Sequence, residues 1–164
     1  MYEAINKNVS KFASFTQEEL EQFNSLLKYQ KVPKKTFLLQ EGEICDFEAY
    51  IIIEDWWVSD IASFNDKKPS KMYIETMEDC ELFALSDTNK EELLIRVPRF
   101  ERFFRLIVQK NLSATQNRLI NTMAKSAPEK YLDFIKLYPT ISQRVAQHYI
   151  ASYLGISAEF LSKI

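Results

Sequence analysis

Gln147-His148-Tyr149-Ile150-Ala151-Ser152-Tyr153-Leu154-Gly155-Ile156-Ser157-Ala158-Glu159-Phe160-Leu161-Ser162-Lys163-Ile164 decides how this chain is read. Ile150, Leu154, Ile156, Leu161 and Ile164 supply the buried skeleton of two short helices. Ala151 is small enough for the second helix to cross the first without a clash. Gly155 suits the left-handed backbone that ends a helix and begins a tight turn. Ser157 is a natural N-cap for the helix that follows. Apolar, small and glycine positions in this register are the pattern of a helix-turn-helix, whose second helix enters the major groove of DNA. The outward positions Ala158, Glu159, Ser162 and Lys163 are small or polar, as a groove-facing surface requires.

Composition is compatible with that reading. A chain of 164 residues forms one or two small domains, and 46% apolar residues suffice for a core. The formal net charge of −2 neither marks nor excludes a nucleic-acid binder, since distribution matters more than the sum. Acidic residues crowd Glu41 to Glu92, whereas Arg96, Arg99, Arg102, Arg105 and Lys110 follow within fifteen positions. The absence of an eighteen-residue apolar run, and of a leader-like apolar stretch at the N-terminus, leads us to expect a soluble cytoplasmic protein. Cys45 and Cys80 cannot build a disulfide framework or a four-cysteine metal site, and both read as small buried hydrophobes. The single histidine, His148, reads as a surface residue. No nucleophile–base pair is legible, so neither an enzyme nor a bound cofactor or metal is expected. The pairs Glu41/Glu43 and Glu91/Glu92 read as solvated charge.

Upstream, residues 1–30 read as helical. Thr16-Gln17-Glu18-Glu19 is a capping box, followed by Leu20, Phe23, Leu26 and Leu27 at helical spacing. The period changes at Lys34-Lys35. Short β-favouring runs then follow at 36–39, 50–53, 56–58, 72–76 and 82–85, with a turn at Glu41-Gly42-Glu43 and a polar loop at 65–69. They predict an all-β sandwich or barrel. A short helix over 89–96 closes at Pro98. Phe100, Phe103, Phe104, Ile107, Val108, Leu112, Leu119 and Met123 then mark one face of a helix of about twenty-five residues. The phenylalanines suit packing on the β-domain, and the later turns suit a twin helix from a second subunit. Ser126-Ala127-Pro128-Glu129 is a second capping box, opening a helix through Leu137 that Pro139 ends.

This order of elements resembles the Crp/Fnr family of bacterial regulators over nearly the whole chain. The segments Glu54-Asp55-Trp56-Trp57-Val58-Ser59-Asp60, Lys68-Pro69-Ser70 and Tyr149–Ile156 resemble its Bacteroidetes branch most. The resemblance implies an α+β protein: a cyclic-nucleotide-binding-like β jelly roll over 1–98, a dimerisation helix over 99–125 and a C-terminal winged helix-turn-helix over 126–164. It implies a homodimer bound to double-stranded operator DNA, away from membranes. Gln147, His148 and Ser157 would contact phosphates. Glu159 would accept from a cytosine amino group, and Lys163 would reach guanine. Ser162 lies on the same face. Ala158 stands where an arginine often reads a base, so the expected operator differs from that of the family's catabolite activators.

Three departures accompany the resemblance. Family members carry about twenty more residues of strand and turn between the Tyr50 region and Trp56, roughly a hairpin or more. We expect a segment missing from the sequence as given rather than a deleted hairpin, because deletion would expose an apolar sheet face. The sequence also stops inside the expected recognition helix. Finally, the family's nucleotide-holding Gly-Glu and Arg-Ser/Thr pairs align with Ser59-Asp60 and Ser70-Lys71. No arginine lies between Ala49 and Leu94. Asp60 still suits a ribose hydroxyl and Lys71 a point charge, but the bidentate phosphate fork is lost. A different small effector, or none, is expected, with Trp56, Trp57 and Phe64 either lining a pocket or filling core. The competing expectation is a ligand-sensing or dimeric interaction module without DNA binding.

Overall fold

The computed structural model describes residues 1–52 and 55–163. The readings that fall on Ile53, Glu54 and Ile164 lie outside the described residues. Two compact units emerge, Met1–Ile107 and Val108–Ile164.

The first unit begins with helices α1 (Glu3–Ser10) and α2 (Gln17–Ser25). The Thr16 capping box forms as read: Glu19 N–H donates to the Thr16 hydroxyl at 3.2 Å, and Thr16 N–H to the Glu19 carboxylate at 2.7 Å. Helix does not persist to residue 30, however. Lys28–Val32 is strand β1, so the change of period comes six residues before Lys34. Lys-Tyr-Gln-Lys-Val is too polar to advertise a strand. Pairing with β6 (Cys80–Ser86) overrides local preference, in register from Lys28–Ala84 to Val32–Cys80.

The remaining strands are β2 (Phe37–Leu39), β3 (Phe47–Ile51), β4 (Trp56–Val58) and β5 (Ile74–Glu75). One antiparallel sheet has the order β1-β6-β3-β4, and the other pairs β2 with β5. Strands β3 and β4 pair directly, with Ile51 opposite Trp56. The loop read at 65–69 is partly helical: α3 spans Ile61–Asp66. Its N-cap is Asp60 and it ends on Lys67 in the left-handed region, at φ 55°. Strong capping outweighs the polar composition of Asn65-Asp66.

Helix α4 (Asp87–Arg96), capped by the Ser86 hydroxyl, leads into α5 (Phe100–Ala124), which has the expected twenty-five residues. Phe100 and Phe103 are fully buried, and Phe104 nearly so, in a core with Ile5, Phe23, Tyr50, Phe83 and Leu93. Phe23 and Phe100 rings lie 4.7 Å apart, within the range of favourable aromatic pairs. Beyond the first two turns the face changes character. Val108, Leu112, Leu119, Ile120 and Met123 stay exposed, Leu119 at 61%.

The second unit continues through α6 (Ala127–Leu137), α7 (Ile141–Arg144), α8 (Gln147–Leu154) and α9 (Ala158–Leu161). The capping box at Ser126 forms, the Glu129 carboxylate accepting the Ser126 N–H at 2.8 Å. Phe134, Ile150, Ala151, Leu154 and Leu161 form the core, with Ile156 half-buried against it. Among the described residues no helix is long and apolar enough to cross a membrane.

Candidate nucleic-acid interface and effector region

The turn between α8 and α9 is built as its residues require. Gly155 takes φ 68°, and Ile156 N–H returns to the Ala151 carbonyl at 3.0 Å, closing α8. Ser157 then caps α9, its hydroxyl accepting the Phe160 N–H at 3.1 Å. Ala151 is only 2% exposed, in the core that α8 and α9 share, where a larger side chain would overpack.

All seven residues read as DNA-facing are exposed: Gln147, His148, Ser157, Ala158, Glu159, Ser162 and Lys163. Ile150, Ala151, Leu154 and Leu161 of the same two helices are buried instead. Phe160, 47% exposed, joins the outer face of α9, and Tyr149 is similarly open on α8. Neither was anticipated, because aromatic character in a short helix reads as core.

Arg118 of α5 was also missed in sequence. Its guanidinium lies 4.0 Å from the centre of the Tyr153 ring and donates to the Tyr153 carbonyl at 3.1 Å. The thirty-five-residue separation left no local signal. Tyr138 packs edge-on against Tyr153, and burial first, then its tyrosine neighbour, raises its pKa to about 12.

Of the four effector-region candidates, two are brought together and spent on each other. Asp60 and Ser70 are 5% and 3% exposed, and the Ser70 hydroxyl donates to Asp60 Oδ2 at 2.7 Å. The other oxygen, Oδ1, accepts the Ser63 N–H at 3.1 Å. These bonds, that of Ser70 foremost, hold the Asp60 carboxyl below the usual range. Ser59 is half-buried and donates to the Phe47 carbonyl at 2.9 Å. Lys71 is exposed. The N-cap role of Asp60 was legible in Asp60-Ile61-Ala62-Ser63 but was overlooked in favour of a ribose contact.

The aromatic residues near this region divide. Phe64 is buried with Leu39 and Cys45. Trp57 is half-buried against Tyr50 and Phe103, its indole N–H donating to Asn8 Oδ1 at 3.0 Å. Both are core. Trp56 remains 48% exposed. Cys45 is buried as expected, whereas Cys80, the first residue of β6, is only half-buried. Among the described residues no three His, Cys, Asp or Glu side chains converge as a metal site.

No family model and no curated protein matches this chain. Solved structures do. The c-di-GMP-responsive global regulator CLP of Xanthomonas campestris aligns with TM-score 0.70 at 14% identity, covering 90% of this chain and 89% of that one. The catabolite activator protein of Thermus thermophilus aligns with TM-score 0.56 at 15% identity, over 95% and 84%. A cyclic nucleotide-binding domain from Methylobacillus flagellatus aligns with TM-score 0.59 at 19% identity, over 73% and 80%. The mixed helix–strand fold is therefore the one shared by Crp-type regulators and cyclic-nucleotide-binding domains. At these identities the likeness concerns fold alone.

Proposed function

We propose that this chain is a homodimeric, DNA-binding transcription regulator of the Crp/Fnr type, of the Bacteroidetes kind, and not an enzyme. One observation carries the reading. Ile150, Ala151, Leu154 and Leu161 are buried and Gly155 is left-handed, while every residue assigned to DNA is exposed. Helix α9 is the recognition helix of a winged helix-turn-helix, α5 the dimerisation helix, and the strands before it a jelly roll. The exposed Val108, Leu112, Leu119 and Met123 support the dimer, since a soluble helix leaves such a stripe open only for a partner.

A cyclic nucleotide held in the usual geometry does not suit this sensor domain. Asp60 and Ser70 satisfy one another, and no arginine lies nearby in sequence to grip a phosphate. Any effector acts by preferring one arrangement of the reading heads over another.

Fluorescence anisotropy with fragments from the host's own promoters tests the proposal. Specific binding should weaken linearly in log–log form with salt, as several phosphate contacts release counterions. Absence of binding to any fragment, or a flat salt dependence, would replace the regulator with an interaction module.

A further inference from the structure

The second unit contains a cleft that the DNA-binding reading does not use. Its volume is about 420 Å³, in the range of small-molecule sites. Asn117, Arg118 and Asn121 of α5, Lys130 and Phe134 of α6, and Tyr153 of α8 are among its walls. The chemistry of those walls is directional. The Arg118 guanidinium is already fixed, by stacking on Tyr153 and by its bond to the Tyr153 carbonyl. That bond uses one of its five N–H groups and leaves most of the planar fork for a ligand. Lys130 is half-buried. Among the described residues neither cation has a carboxylate within ion-pair distance, and the cleft's own acid, Asp133, is committed to Lys125. The lining thus has a surplus of positive charge beside aromatic surface, with two amides able to bond ring substituents.

We propose that this cleft binds a small planar aromatic carboxylate, preferably hydroxylated. Arg118 takes the carboxylate with its fork, Lys130 adds charge, Phe134 and Tyr153 contact the ring, and Asn117 and Asn121 bond its hydroxyl. A guanidinium held in place before the ligand arrives loses less freedom on binding than a mobile one. The proposal stands apart from DNA recognition, because none of the lining residues is assigned to the duplex.

Isothermal titration calorimetry of the full chain with salicylate tests it, with inorganic phosphate and benzyl alcohol as probes of charge alone and ring alone. Salicylate should bind more tightly than either. Arg118→Lys and Lys130→Gln should each weaken it about tenfold, with unchanged far-ultraviolet circular dichroism. Lys31→Gln, in the other unit, should leave it unaltered. No heat with salicylate at millimolar concentration, phosphate binding as tightly as salicylate, or affinity indifferent to both cleft substitutions would each overturn the proposal. DNA binding measured on the same samples reads the regulator assignment separately.

Discussion

Ser70 and Asp60, ten residues apart, form a buried hydroxyl–carboxylate bond of 2.7 Å at the base of α3. Ser70 Oγ also accepts the Met72 N–H at 3.1 Å, and Asp60 caps the helix. The pair therefore joins a helix start to the segment leading into β5. Ser70→Ala leaves both a buried carboxylate oxygen and an N–H short of a partner. The expected loss is about 1–3 kcal/mol in urea denaturation, with little change in slope.

Asp60 and Glu48 should pull acid stability in opposite directions. Asp60 has a folded pKa below its unfolded value, so its contribution is present above the unfolded value and disappears as pH falls through the folded one. Glu48 is raised by burial, which outweighs the effect of Lys90, so protonation favours the folded state and the chain gains stability as pH falls through its folded pKa. Denaturation midpoints of Asp60→Asn and Glu48→Gln between neutral and acid pH should diverge from the parent with opposite slopes.

Lys90 lies 3.0 Å from Glu48 Oε1 and 4.4 Å from the centre of the Phe104 ring, with both charged side chains about 15% exposed or less. Among the described residues Glu48 Oε2 has no hydrogen-bond partner. Lys90→Met should cost about 3 kcal/mol, because it strands a buried charge. The double variant Lys90→Met with Glu48→Gln should recover a good part of that loss in a double-mutant cycle.

Gly155→Ala isolates backbone strain. Among the described residues no atom beyond its chain neighbours lies within 4 Å of the added methyl, so the cost comes from φ 68° and should be about 1–2 kcal/mol. Thermal unfolding measures it. DNA affinity should fall with it if the turn sets the angle of α9.

Leu119→Glu tests the dimer. The side chain is 61% exposed in a single chain, so the fold should tolerate the charge. Sedimentation velocity should show a shift from dimer to monomer at unchanged helix content. A parent chain that sediments as a monomer at high concentration would refute the assignment of α5.

Much of this architecture was legible because it is local. Thr16 with Glu19, Ser126 with Glu129, and Gly155 followed by Ser157 are start and stop signals within four residues. Each formed as read, since the atoms that must meet are already neighbours along the chain. The spacing of apolar residues from Phe100 to Met123 likewise marked the length of α5. Strand β1 was not legible. Lys28–Val32 carries weak preference, and its conformation follows from β6, fifty residues away.

The effector region divides along the same line. Sequence placed Asp60 and Ser70 in a common region and disclosed the lack of an arginine. That the two would spend their bonds on each other depended on how the chain folds α3 against the approach to β5. The hold of Arg118 on Tyr153 depended equally on packing, because cation–π and long-range hydrogen bonds have no signature in spacing. Short-range capping and periodicity drew the helices; which side chains met across them was settled by burial, where each polar group had to find whatever partner the packed chain brought within reach.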